Sequence, residues 1–210
     1  MSSDRSGTIE TVTIETPDPV AAGAFHADAF GLDDRVRVRA GDAPTDGFRG
    51  FGLSLVVAQP STVDSFAASA LAAGAEVLKP VTKSFWGYGG VLRAPDGTIW
   101  KLASSAKKDT GPATREIERL VLLLGVADVT ATRQFYTDCG ITVAKSFGRK
   151  YVEFDTAPIT LALYGRRAAA KDLGVAPDGS GSHRLIIGGT TDLTDPDGFV
   201  WEATVTEQAP

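Results

Sequence analysis

Two stretches of the chain repeat the same order of apolar and polar positions. Near the N-terminus, Ile9-Glu-Thr-Val-Thr-Ile-Glu-Thr16 leads into Asp18-Pro19 and then Val20 to Phe30, ending at Gly31. After the midpoint, Ile117 to Leu124 leads through Val126-Ala-Asp128 into Val129 to Cys139 and then Gly140. Each stretch predicts a strand, an Asp-capped helix and a glycine stop. Asp18 and Asp128 can accept from first-turn amides, Pro19 suits the first helical position, and Gly31 and Gly140 permit the left-handed stop. Phe25-His26 and Phe135-Tyr136 fall at matching places. A second repeat closes each half: Ala94-Pro-Asp-Gly-Thr-Ile-Trp-Lys101 matches Asp195-Pro-Asp-Gly-Phe-Val-Trp-Glu202, a turn opening a strand.

The same patterning fills the intervals. Arg35-Val-Arg-Val-Arg39 alternates as a strand with its guanidiniums on one face, and Phe51 to Val57 is a more apolar strand. Ser61 to Ala73 places Val63, Phe66, Ala67, Ala70 and Leu71 on one helical stripe, stopped by Gly74. Strands are expected around Val77, at Gly90 to Arg93, Thr142 to Lys145, Lys150 to Asp155, Ile159 to Tyr164, and from His183 to Ile187. Val121 to Leu124 is apolar on both strand faces, the mark of a strand covered on both sides. The polar stretch Ser104 to Thr114 reads as a linker, dividing the chain into units 8–105 and 115–206.

Composition narrows the chemistry. A chain of 210 residues with 43% hydrophobic and 22% charged positions is ordinary for a globular protein, and a formal charge of −5 supplies no field for nucleic acid. No apolar run is long enough to span a membrane, and Met1 to Gly7 lacks an apolar signal core, so a cytoplasmic location is expected. Cys139 is the only cysteine and His26 and His183 the only histidines, which shortens the list of mechanisms.

The order of strand, Asp-capped helix, glycine stop and further strands ending in Asp-Pro-Asp-Gly-x-x-x-Glu resembles the vicinal oxygen chelate superfamily, the glyoxalase/bleomycin-resistance/extradiol dioxygenase group. The resemblance covers roughly Ile9 to Ala103 and Ile117 to Thr204. It implies an α+β fold of tandem βαβββ modules forming cupped mixed sheets, with the two outer modules shortened and the two halves of the chain acting as a pseudo-dimer. A homodimer is compatible with the same pattern. In metal-using members each module offers one ligand from its first strand and one from its last. Here those positions fall on Thr11, Lys101, Val121 and Ala162 in the first three modules, none of them a good donor. Only His183 and Glu202, in the fourth, keep donor chemistry.

Two readings of His183 and Glu202 follow: a half-site for proton transfer or a loosely held divalent metal, or a hydrogen-bonded remnant of a lost site. His26, by its place in the first helix, reads as half-buried structure, and Trp100 and Trp201 as core facing the helices. Phe85-Trp86-Gly-Tyr88-Gly-Gly90 reads as a loop or strand edge whose rings stack on a flat ligand or pack on the other half. Lys101 joins Phe85, Trp86 and Tyr88 as a candidate ligand contact. Arg35, Arg37 and Arg39 read as a charged edge or an anion stripe, and Glu153 with Asp155 as a solvated face. No nucleophile elbow or phosphate loop is present. Three functions are thus expected: metal-independent binding of a small, flat molecule with no cofactor, a metal-dependent lyase, isomerase or dioxygenase, or a non-catalytic interaction protein.

Overall fold

A computed structural model describes residues 7–32 and 34–204. In chain order the elements are β1 (Thr8–Thr16), α1 (Pro19–Phe30), β2 (Val36–Ala40), β3 (Thr45–Gly47), β4 (Phe51–Val56), α2 (Pro60–Ala72), β5 (Glu76–Ser84), β6 (Gly87–Arg93) and β7 (Ile99–Ser104). They continue with β8 (Arg119–Val126), α3 (Val129–Asp138), β9 (Val143–Phe147), β10 (Tyr151–Phe154), β11 (Ala157–Gly165), α4 (Arg166–Leu173), β12 (Gly179–Gly181), β13 (Leu185–Gly189), β14 (Leu193–Thr194) and β15 (Val200–Ala203). The local signals act as expected. Asp18 accepts from the Ala21 amide at 2.9 Å, Asp128 from those of Thr130 and Ala131, and Gly31 closes α1 at φ 61°.

Strand pairing sorts the chain into an α+β fold with a large mixed sheet. β4, β5, β6 and β7 lie in the order β4-β7-β6-β5, with β4 parallel to β7. The strands β8 to β11 repeat that arrangement as β8-β11-β10-β9, with β8 parallel to β11. Antiparallel pairing of β4 with β8 welds these two sets into one eight-stranded unit. The ends of the chain build the rest: β1 runs parallel to β2 and antiparallel to β13, which runs parallel to β15, with β14 at the edge. The first set lacks two strands beside β2, and the last lacks both a helix and a strand. Among the described residues, β1 pairs with the eight-stranded part through Thr8 and Ile9, opposite Ala157 and Pro158 of β11.

α1, α2 and α3 cover one face. There Leu53, Leu55, Trp100, Leu102, Leu120, Leu122 and Leu124 form the main core with Phe30, Phe66 and Tyr136 of the helices. Both tryptophans expected in the core, Trp100 and Trp201, lie there. Burying large apolar side chains contributes about 1.5–3 kcal/mol each, so this face dominates stability.

The opposite, concave face carries an element the periodicity did not predict. Helix α4 lies against Val121 and Leu123 of β8 and Ala162 of β11, sharing a second core with Phe48, Val91 and Ile99. Two strand glycines make room for it. A Cβ at Gly52 would stand 2.7 Å from Leu173 Cδ1, and one at Gly125 would stand 3.0 Å from Ala169 Cβ. The double-sided apolar run at Val121 to Leu124 is therefore buried on both faces, one by the outer helices and one by α4.

Candidate functional site

The metal pattern implied by the resemblance can be tested on the strand register, which places ligand positions side by side. Across the eight-stranded part, Lys101, Ser54, Val121 and Thr160 form one row. Two alcohols, an alkyl group and an ammonium do not make a donor set for a divalent ion. Across the strands from the chain ends the row is Thr11, Gly188 and Glu202. A Cβ at Gly188 would stand 2.1 Å from Thr11 Oγ1, so no ligating side chain fits there. Among the described residues no three His, Cys, Asp or Glu side chains are grouped to hold a metal ion. These residues do not fit the metal of the glyoxalase pattern.

His183 and Glu202 are not brought together. β13 begins at Leu185 rather than at His183, and its register sets Glu202 beside Gly188, five residues further on. His183 lies before the strand, separated from it by Arg184 at φ 50°, so strand register does not bring the two side chains together. His183 stacks on Phe199 with 3.9 Å between ring centroids; its Nδ1 faces the Arg49 carbonyl and its Nε2 the Asp197 carbonyl at 3.0 Å. With each ring nitrogen turned to a main-chain oxygen, neither is open to an ion. Glu202 pairs with Arg39, accepting from Nη1 at 3.1 Å, and Arg39 also bonds Glu15. Arg37 and Arg39 thus stand on an edge strand, and Arg39 is committed to carboxylates, which hold its guanidinium above its usual range, Glu202 foremost.

The candidate ligand contacts behave differently from one another. Trp86 and Lys101 line one groove of about 370 Å³, between β5, β6, β7 and the end of α4. Lys101 Nζ donates to both carboxylate oxygens of Asp172, at 2.8 and 2.7 Å, and Lys79 Nζ donates to the Lys171 and Asp172 carbonyls. The two lysines fix the C-terminal end of α4, where carbonyls and dipole favour cations. Trp86 and Phe85 occupy the β5–β6 hairpin tip, 84% and 81% exposed, edge to face at 5.0 Å, with Lys107 Nζ over the Phe85 ring. Tyr88 turns away. Its neighbour register puts it on the helix-covered face, and its hydroxyl donates to Asp64 of α2 at 2.8 Å. Tyr88 contributes main chain to the groove, not its ring.

Two expectations about burial are corrected. Glu153 is 7% exposed rather than solvated: it accepts from the Tyr151 hydroxyl at 2.6 Å and pairs with Arg119 and Lys145. Burial pushes its carboxyl up, but these partners together hold it below the usual range. Asp155, beyond the end of β10, is exposed as expected. His26 is fully rather than half buried, with Nε2 3.7 Å from Asp96 Oδ2. Burial lowers its pKa despite the nearby carboxylate.

No family model matches the sequence, and no curated protein matches it. Solved structures do. Glyoxalase I from Zea mays superposes with a TM-score of 0.59 at 12% identity, covering 92% of this chain and 90% of the maize chain. A variant of the same enzyme gives 0.58, with 92% of each chain covered. A candidate dioxygenase of Bacillus subtilis gives 0.54 at 13% identity over 89% of this chain and 71% of its own. No helix among the described residues is long and apolar enough to cross a membrane. By these superpositions the chain has the fold of Zea mays glyoxalase I and of the Bacillus subtilis candidate dioxygenase.

Proposed function

We propose that the chain binds a small, flat organic molecule without a metal in the groove beside Trp86 and Lys101. One observation carries this reading: an exposed indole stands at the rim of a cavity of about 370 Å³ whose wall holds a fixed Lys101–Asp172 pair. That volume lies at the lower end of the range that takes drug-sized ligands. The indole offers a stacking face, and the ion pair offers both a donor and an acceptor to a polar substituent. The row of Lys101, Ser54, Val121 and Thr160 supports binding over metal-assisted chemistry, because it offers no ligand set. A thermal-shift and tryptophan-fluorescence screen of aromatic natural products and glutathione-type thiols tests it, run with and without chelator. The expected result is a saturable ligand, unaffected by chelator, whose affinity falls at least about tenfold in Trp86→Ala; at 100 times its Kd it adds about 2.7 kcal/mol of stability. A ligand that binds only with added Zn²⁺, Ni²⁺, Mn²⁺ or Fe²⁺ overturns it.

A second reading has its own support. α4 fills the concave face around Val121 and Leu123 with side chains, which suits a protein whose surface, not its cup, meets a partner. A screen with no hit favours that reading and defeats the first.

A further inference from the structure

A larger cavity than the Trp86 groove lies elsewhere, at the opposite end of α4. It has a volume of about 920 Å³, and its wall includes Arg149 and Lys150 of the β9–β10 hairpin, Tyr164 at the end of β11, and Arg166 and Arg167 of α4. Against these four cations stands a single lining carboxylate, Asp178. In a chain of net charge −5, such a concentration of positive charge needs a reason.

The cations are not spent on one another's counter-ions. Among the described residues no ion pair includes Arg149, Lys150, Arg166 or Arg167. Arg166 is held in place by neutral groups: Nε donates to the Pro177 carbonyl at 2.9 Å, Nη2 to the Phe48 carbonyl at 2.5 Å, and the guanidinium lies over the Phe48 ring at 5.2 Å. Its charge is positioned but not neutralised. Arg149, Lys150 and Arg167 are exposed and converge on the same concavity. α4 begins at Gly165 without a side-chain cap, so its first-turn amides add donors at the same end.

The wall also has an aromatic side. Tyr164, which lines the cavity, packs tilted against Tyr151 with centroids 4.9 Å apart, and Tyr151 tilted against Phe147 at 5.9 Å, a row of rings across β11, β10 and β9. Phe147 at its end is 66% exposed.

We infer that this cavity is a second ligand site, distinct from the Trp86 groove, that takes a small organic phosphate carrying a flat ring. The phosphate meets Arg149, Lys150, Arg166 and Arg167, and the ring lies toward Tyr164. Phosphate suits the cluster because guanidiniums bind its oxygens in pairs and a dianion answers several cations at once.

The experiment is calorimetric titration of the intact chain with phenyl phosphate and with pyrophosphate at low ionic strength. Arg149→Ala and Arg167→Ala are the test variants; both residues are exposed, so folding is checked simply by an unchanged Tm without ligand. Lys108→Ala, which removes one exposed charge outside this cavity, is the control. Expected are saturable binding of both probes, tighter for phenyl phosphate per unit of charge, a loss of about fivefold or more in each Arg variant, and steep weakening with salt. Lys108→Ala and Trp86→Ala should bind as the parent does, so this site can stand or fall separately from the Trp86 groove. Absence of saturation with either probe, or an equal loss in Lys108→Ala, overturns the inference; pyrophosphate binding without phenyl phosphate binding removes the ring from it and overturns that class of ligand.

Discussion

The two halves of the chain bury the same structural device with different polar contents. In the C-terminal half Tyr136 of α3 donates to Asp195 Oδ2 at 2.7 Å and accepts from Trp201 Nε1 at 3.2 Å. Asp195 Oδ1 takes the amides of Asp197 and Phe199 at 2.9 Å each, so every polar group of the cluster is answered. In the N-terminal half the matching positions are His26, Ala94 and Trp100. The backbone turn is the same, with Ala94 N bonded to the Thr98 carbonyl as Asp195 N is to that of Phe199. The carboxylate is missing, and an imidazole stands in place of the phenol. His26 turns instead toward Asp96, and Trp100 Nε1, both His26 ring nitrogens and Asp96 Oδ2 find no hydrogen-bond partner among the described residues. The backbone is thus maintained by apolar packing and the Pro-Asp-Gly turn, while the polar cluster is an addition that one half lacks. Unanswered buried polar groups cost about 1–3 kcal/mol each, which the surrounding core of Phe25, Phe30 and Trp100 must offset.

Asp195→Ala gives the C-terminal turn the alanine of its N-terminal counterpart, Ala94, and should have the largest effect. It strips the acceptor from Tyr136 and two amides at once, and a loss of about 3 kcal/mol is expected in urea unfolding. A loss below about 1 kcal/mol would show that the cluster is dispensable and the halves energetically alike. His26 supplies the next contrast. Its pKa is lowered in the folded chain, so below its ordinary value of 6.5 the unfolded chain binds a proton that the native chain refuses. Stability should therefore fall as pH drops from about 6.5 toward the folded pKa, by at most about 1.4 kcal/mol per pH unit. His26→Phe should flatten that slope in urea titrations between pH 7 and 5; an unchanged slope would place the proton elsewhere. The smallest effect is a difference. Trp201→Phe removes a made hydrogen bond and Trp100→Phe removes an unmade one, so the first should cost about 1 kcal/mol more, measured as a pair of Tm values.

Much of the fold was legible because its signals are local. The caps at Asp18 and Asp128, the stop at Gly31 and the Pro-Asp-Gly turns each act within a few residues, and the structure has them as read. Helix α4 was missed because its eight residues carry only Ala169, Ala170 and Leu173 as buried positions, too short a stripe to register as a period. The glycine after Leu173 and the run Ala168 to Ala170 were the available hints. The site was less legible still. Trp86 and Lys101 were named and do share a groove, but Asp172, which orders Lys101, lies on the unread helix. Tyr88 shows the limit of composition: a ring in an aromatic run can face either side, and one step of strand phase decided it.

The sequence by itself determined the order of the elements, the repeat of strand, capped helix and turn, and the burial of Val121 to Leu124, since all depend on side chains within one turn or one strand. With the resemblance, it also implied few donors at the family's metal positions. Only the tertiary structure decided that Gly188, not His183, stands beside Glu202, that α4 crosses the concave face through the space at Gly52 and Gly125, and that four cations meet at its other end. Those outcomes depend on pairing register and on contacts between residues far apart in the chain, where the free energy of packing, not local preference, selects the arrangement.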